Sequence, residues 1–169
     1  MARAGMRIGE IEYPVQGEML QVGAAAPNFK LTANNWTAKT LGDYAGKVKI
    51  ISVVPSLDTR VCSAQTHYFN KAASDLSEAI VILTVSADLP YAQRRWCGAE
   101  GVDRVETLSD HKDMNFSEAY GVHVCDLRIC QRACFVVDKN DVVQYAEYMP
   151  VIGSEINFEA VLATARELV

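Results

Sequence analysis

Apolar and polar positions change period several times along the chain, and each change marks an element. Residues 47–54 (KVKIISVV) form an apolar, β-branched run with the length of a central strand, and Pro55 ends it by removing a backbone donor. From Val61 the period lengthens. Apolar or small residues recur at Ala64, Tyr68, Ala72 and Leu76, spacings of three and four that set them on one face of a helix over 61–76. The alternation continues with strand 80–86, helix 90–97, strand 105–108 and a short helix near 115–120. Pro90 suits the first turn of its helix, while Gly98 and Gly101 act as breakers near its end. Strands 133–137 and 142–148 flank Asp138-Lys139-Asn140-Asp141, turn residues suited to an antiparallel pair. A last helix over 157–168 aligns Phe158, Val161, Leu162, Ala165 and Leu168. Upstream, residues 7–21 alternate around Pro14 and Gly17 as an N-terminal β-hairpin; a loop follows over 23–28, then short strands at 29–32 and 37–40. Strands alternating with helices and closing in an antiparallel hairpin predict an α/β fold, a mixed β-sheet flanked by helices. Without repeats, low-complexity stretches or linkers, residues 1–169 read as a single domain.

The chemistry concentrates where the first long strand gives way to its helix, at Pro55-Ser56-Leu57-Asp58-Thr59-Arg60-Val61-Cys62. Asp58 or Thr59 is a natural N-cap there. A cysteine in the first helical turn lies among unpaired N–H groups and the positive end of the macrodipole, which favour thiolate, the nucleophilic form, over thiol. The competing reading of Cys62 is a small buried hydrophobe, the usual fate of a free cysteine. Helix-start position alone leaves both open.

Pro55-x-x-x-Thr59-x-x-Cys62 resembles the active-site signature of the peroxiredoxins. Longer phrases sharpen the likeness: PSLDTRVC (55–62), VSADLPYAQRRWCGAEGV (85–102), TLSD (107–110), AYGV (119–122) and QRACFVVDKND (131–141). Together with GEMLQVGAAAPNFKL (17–31) they are similar to the thiol peroxidases, the atypical two-cysteine peroxiredoxins of bacteria. The resemblance implies a thioredoxin-like fold and no cofactor. It implies that Cys62 attacks a hydroperoxide, hydrogen peroxide or an organic one, and becomes a sulfenic acid. The family's active-site arginine maps onto Arg132, to stabilise the leaving oxygen, and the Thr59 hydroxyl would hydrogen-bond the thiolate or the peroxide. By itself, Arg132 reads as a solvated strand-end charge, while Thr59 reads equally as a plain cap, a role compatible with the catalytic one.

A sulfenic acid must be resolved before it overoxidises. The five cysteines, 62, 97, 125, 130 and 134, allow ten pairs, so counting does not name the partner. The resemblance names Cys97, in the phrase DLPYAQRRWCGAEG (88–101). Because a disulfide needs Cα atoms within roughly 7 Å, one or both cysteine-bearing turns are expected to unwind during turnover. The family further implies thioredoxin as reductant and a homodimer. Two other classes compete: a general dithiol oxidoreductase, disfavoured by the lack of C-x-x-C, and a non-enzymatic peroxide sensor that uses Cys62 oxidation as a signal.

His123, Cys125, Cys130 and Cys134 fall within twelve positions, with gaps of four and three residues between the cysteines, yet there is no second knuckle elsewhere and Cys134 lies in the apolar run ACFVV. Ordinary packed or loop thiols, and no metal, are expected. Half of the residues are hydrophobic, but no apolar run approaches the roughly eighteen needed to cross a bilayer. The first residues lack a secretory apolar segment, and an odd cysteine count then points to a reducing cytoplasm. A formal charge of −5 gives no reason to expect nucleic acid, and Arg94-Arg95 reads as a solvated helix face beside Cys97.

Overall fold

The computed structural model describes residues 2–169. In chain order its elements are β1 (Ala2–Ile8), β2 (Ile11–Gln16), β3 (Lys30–Ala33), β4 (Ala38–Thr40), β5 (Val48–Val53), α1 (Arg60–Ala72), β6 (Ile80–Ser86) and α2 (Pro90–Glu100). Then follow β7 (Glu106–Ser109), α3 (Asn115–Ala119), β8 (His123–Val124), β9 (Ile129–Cys130), β10 (Ala133–Val137), β11 (Val143–Tyr148) and α4 (Phe158–Glu167).

Seven strands make one mixed sheet in the order β11-β10-β5-β6-β7-β3-β4. β5, β6 and β7 run parallel, while β10 pairs antiparallel with β5 and β3 antiparallel with β7. All six residues of β5 are buried, which is why its sequence is nearly continuously apolar: a strand covered on both faces has no solvent side to mark with polar residues. Side chains still alternate. Ile51 and Val53 join Leu83, Phe135, Phe116 and Tyr120 on the face covered by α3, whereas Val48 and Ile50 pack with Phe69, Trp96 and Val161 under α1, α2 and α4. This is the α/β architecture with helices on both faces that the pattern predicted.

A smaller antiparallel sheet, β1-β2-β8-β9, was legible only in part. Its hairpin turns at Gly9-Glu10, where Gly9 takes a φ of 59°, rather than around Pro14 and Gly17. Pro14 instead sits within β2 next to a register shift, a position that tolerates its missing donor. Gly17 packs so closely on Gly121 that a side chain on either would run into the other segment's backbone, which ties β2 to the turn before β8.

Two helices differ from their expected form. Of the expected stripe, Ala64 and Tyr68 are exposed while Ala72 and Leu76 are half-buried against the core, and α1 buries Cys62, Gln65, Thr66 and Phe69. Gln65 and Thr66 can be buried because Gln65 Nε2 donates to Ser52 Oγ (2.7 Å) and Thr66 Oγ1 to the Cys62 carbonyl (2.9 Å). A hydrophobic period counts such residues as solvent-facing. α1 also stops at Ala72 and passes into a single 3-10 turn. α2 runs on through Gly98 to Glu100, and only Gly101, at φ 67°, ends it, its N–H bonded to the Cys97 carbonyl. No helix among the described residues is long and apolar enough to cross a membrane.

Candidate active site

Parallel strands β5 and β6 finish at the same edge of the sheet, and the loops leaving that edge carry the candidate residues. Val54 still bonds the Val85 carbonyl (3.0 Å); Pro55, buried, then breaks the ladder. The Ser56 carbonyl accepts from both the N–H and the hydroxyl of Thr59 (3.2 Å each), which folds residues 56–59 into a turn. That turn is pinned from outside by Asp88, just beyond β6. Its carboxylate accepts from Ser56 Oγ (2.8 Å), the Leu57 N–H (2.9 Å) and Ser86 Oγ (2.7 Å). Thr59 is the N-cap of α1, its Oγ1 accepting from the Cys62 N–H at 3.3 Å. Both hydrogen-bonding roles of the hydroxyl are therefore occupied by backbone in this state, so the resting structure has it as a cap and not as a partner of the Cys62 sulfur.

Cys62 is wholly buried, as the hydrophobe reading requires, but its company is not that of a hydrophobe. Arg132 immediately precedes β10, and the antiparallel pairing of Ala133 with Val53 brings it to the edge where α1 begins. Its Nη2 donates to Cys62 Sγ at 3.1 Å. Nη1 donates to Gln65 Oε1 (3.1 Å), and Nε and Nη2 reach the Ile152 carbonyl (3.3 and 2.9 Å). Only 1% of Arg132 is exposed, and no carboxylate pairs with it among the described residues. Arg132 is thus no solvated strand-end charge. A guanidinium cannot shed its proton, so burying it with neutral acceptors alone is costly. Among the described partners of the guanidinium, only the sulfur belongs to an ionisable side chain.

Gln65, Ser52, Asp88 and the Ile152 carbonyl were not found in the sequence. Gln65 had a signal, lying one helical turn after Cys62 on the same face. The others meet the site only through the fold.

Cys97 lies on α2, half-buried, with its sulfur 3.6 Å from Thr107 Oγ1 on β7. Burial pushes its pKa up, only partly countered by its hydrogen bonds. All five thiols are free, so the structure is the reduced form. α1 and α2 are clasped beside the site: the His67 ring lies 5.4 Å from that of Trp96, and His67 Nε2 is 3.1 Å from Glu100 Oε2. Asn70 Oδ1 accepts from the N–H groups of Asp103 (3.2 Å) and Arg104 (2.7 Å). Between the helices, a cleft of about 500 Å³ is lined by Thr59, Arg60, His67, Trp96 and Glu100.

The remaining cysteines are separated by the sheet. Cys130 packs on one face and Cys134 on the other, while Cys125 Sγ lies 3.3 Å from His123 Nδ1. Burial raises the pKa of both Cys130 and Cys134.

A helix-start thiol against a buried arginine, at the carboxyl edge of a mixed sheet, defines a redox-active thiol protein. The family model described as Redoxin matches residues 21–162. The chain belongs to that family and, within it, to the thiol peroxidases. It is 52% identical to the thiol peroxidase of Oceanobacillus iheyensis over 147 residues, 87% of this chain and 89% of the relative. To that of Bacillus subtilis it is 50% identical over 153 residues, 90% and 91% of the two chains. Among solved structures, a peroxiredoxin-like protein from Aquifex aeolicus superposes with a TM-score of 0.91 at 32% identity, covering 99% of each chain. The fold is therefore thioredoxin-like, and the activity that the membership carries is thiol-dependent reduction of peroxides.

Proposed function

We propose that Cys62 is the nucleophile and Cys97 the resolving thiol of a two-cysteine peroxidase acting on hydrogen peroxide and organic hydroperoxides. The Cys62 sulfur attacks one peroxide oxygen and the O–O bond breaks. The departing oxygen takes the electron pair and a proton, leaving as water or alcohol, and the sulfur keeps the other oxygen as a sulfenic acid. Arg132 balances the sulfur before the reaction and the departing oxygen during it, so the positive charge need not be brought in. Gln65 and the Ile152 carbonyl hold the guanidinium in place. Thr59 joins the reaction by exchanging its bond to the Ser56 carbonyl for one to the peroxide. Pro55 ends the strand so that this turn can form.

In the second half, the Cys97 thiolate attacks the Cys62 sulfur, the S–O bond breaks, and hydroxide leaves with a proton as water. A dithiol such as that of thioredoxin then returns two electrons to the disulfide. Because the two cysteines lie on separate helices, one or both cysteine-bearing turns unwind during turnover, which loosens the clasp between α1 and α2. The whole unit, residues 1–169, acts as one domain, assembled as a homodimer in the cytoplasm.

The observation that carries the reading is the buried Arg132 guanidinium, with neutral acceptors on every side but the Cys62 sulfur. Steady-state peroxide consumption with thioredoxin and its NADPH-dependent reductase tests it. Many turnovers per protein are expected. Consumption that stops after one equivalent would make the protein a single-use thiol and overturn the recycling mechanism.

A further inference from the structure

Three hydroxyls stand in one row across the parallel strands: Ser52 of β5 is the register partner of Thr84 of β6, and Thr84 that of Thr107 of β7. Strand alternation puts the row on the face that carries Ile50 and Ile82, under α1 and α2. Its two ends are occupied. Ser52 Oγ accepts from Gln65 Nε2 (2.7 Å), one helical turn after Cys62 on α1. Thr107 Oγ1 lies 3.6 Å from Cys97 Sγ on α2 and 2.9 Å from Asn34 Oδ1.

The middle of the row is not occupied. Thr84 is 1% exposed, and its Oγ1 has no hydrogen-bond partner among the described residues. Such a hydroxyl has given up water without compensation, a cost that a valine of the same shape would avoid. Its position points to a use. The anchor points of the two cysteine-bearing helices, on β5 and β7, are two strand spacings apart, about 10 Å. A disulfide needs Cα atoms within roughly 7 Å, so the Cys97 sulfur has to cross β6 to meet Cys62. In leaving, it gives up Thr107 and Asn34, the partners that counter the rise in its pKa caused by burial. Thr84 carries the next hydroxyl on its way.

We infer that Thr84 is a catalytic residue of the resolving step, its free hydroxyl donating to the Cys97 sulfur as that sulfur crosses β6 toward the Cys62 sulfenic acid. The inference rests on Cys97 being the resolving cysteine. Cys97 gives its proton to solvent and attacks as a thiolate. The S–S bond forms, the S–O bond of the sulfenic acid breaks, and hydroxide leaves with a proton as water. Thr84 keeps its own proton throughout and stabilises the anionic sulfur until the new bond is made.

The test is single-turnover kinetics on the full chain, with disulfide formation followed by rapid quench and alkylation after one equivalent of hydrogen peroxide. Thr84→Val keeps the side-chain shape and removes the hydroxyl. It should slow disulfide formation about tenfold, the worth of one hydrogen bond to a charged atom, and raise the sulfinic fraction at excess peroxide. Thr84→Ser keeps the hydroxyl and should stay within about twofold of wild type. Sulfenic acid formation at Cys62 precedes this step and serves as the internal control.

Two further readouts separate this role from a structural one. The urea midpoint of reduced Thr84→Val should not fall, because the hydroxyl has no partner to lose. In a Cys62→Ser background, the pH profile of Cys97 alkylation should stay put with Thr84→Val, because the resting sulfur is held by Thr107 and Asn34. If Thr84→Val did not fold, Thr84→Ala would decide by the same slowing of disulfide formation. An undiminished rate without the hydroxyl, a serine variant as slow as the valine one, a lowered midpoint in Thr84→Val or a moved alkylation profile would overturn the inference. If the wild-type chain formed no Cys62–Cys97 disulfide at all, the two-cysteine reading itself would have failed, and the role of Thr84 with it.

Discussion

Two buried cations stand at opposite ends of the β5–β10 pair, and they are neutralised in different ways. Lys49, fully buried on β5 beside Val137, faces the Asp141 carboxylate at 2.5 Å, in the turn that joins β10 to β11. Arg132, equally enclosed at the other end of β10, faces an amide oxygen, a backbone carbonyl and a thiol sulfur. The lysine pair is electrically closed. Its attraction offsets its own desolvation and leaves no charge for a reactant. The arginine site is one negative charge short, and in the proposed reaction a sulfur anion or a developing oxyanion completes it. Burial of a charge thus marks a structural site when the partner is a carboxylate and a chemical one when the partner is a nucleophile.

The largest effect expected from breaking this contrast is at the sulfur itself. Cys62→Ser leaves Arg132 without an ionisable partner and should abolish peroxide turnover, and residual activity above a tenth of wild type in a coupled assay would contradict the role given to Cys62. Arg132→Met should slow the second-order reaction with peroxide about 30- to 1,000-fold, roughly 2–4 kcal/mol of barrier, while Lys49→Met should leave that rate within about twofold. Equal losses in the two variants would erase the distinction. On stability the order reverses at the lysine end. Asp141→Asn strands a buried ammonium and should cost roughly 3 kcal/mol in a urea melt, whereas Lys49→Met leaves only a part-exposed carboxylate behind and should cost less than about 1 kcal/mol.

Smaller effects sharpen the contrast. Gln65→Leu removes an acceptor from Arg132 without touching the sulfur, and a fall of about tenfold in the peroxide rate is expected. No change would mean that the guanidinium is held by the Ile152 carbonyl alone. The gentlest effect is on alkaline stability. Burial raises the pKa of the Cys130 and Cys134 thiols, so the folded chain keeps protons that the unfolded chain loses above about pH 8.5. The unfolded state then binds fewer protons, and stability should decline as pH rises through that range, a slope that Cys130→Ala with Cys134→Ala should flatten. Urea midpoints between about pH 7 and pH 9.5 measure it.

Much of this was legible in the chain because the decisive features are local. The apolar run through Ile50 and Ile51, Pro55 as its stop and an N-cap at Asp58 or Thr59 each follow from neighbouring residues. Arg132 was reached only through a family likeness, since its burial depends on β10 pairing with β5, which no local pattern encodes. The buried face of α1 was missed for a related reason. Gln65 and Thr66 turn inward because Ser52 and the Cys62 carbonyl await them, and those partners are supplied by the fold. β8 and β9, two residues each, are too short for any period to register. Asp88 pins the turn before Cys62 from the loop after β6, so nothing near it in sequence announces the role.

Peptide mapping of the non-reduced protein after one equivalent of hydrogen peroxide tests the central claim most directly. The account predicts a single new cross-link, Cys62 to Cys97 within one chain, with Cys125, Cys130 and Cys134 recovered as thiols. A main cross-link from Cys62 to any of those three, or a disulfide-joined dimer on a non-reducing gel, would contradict it.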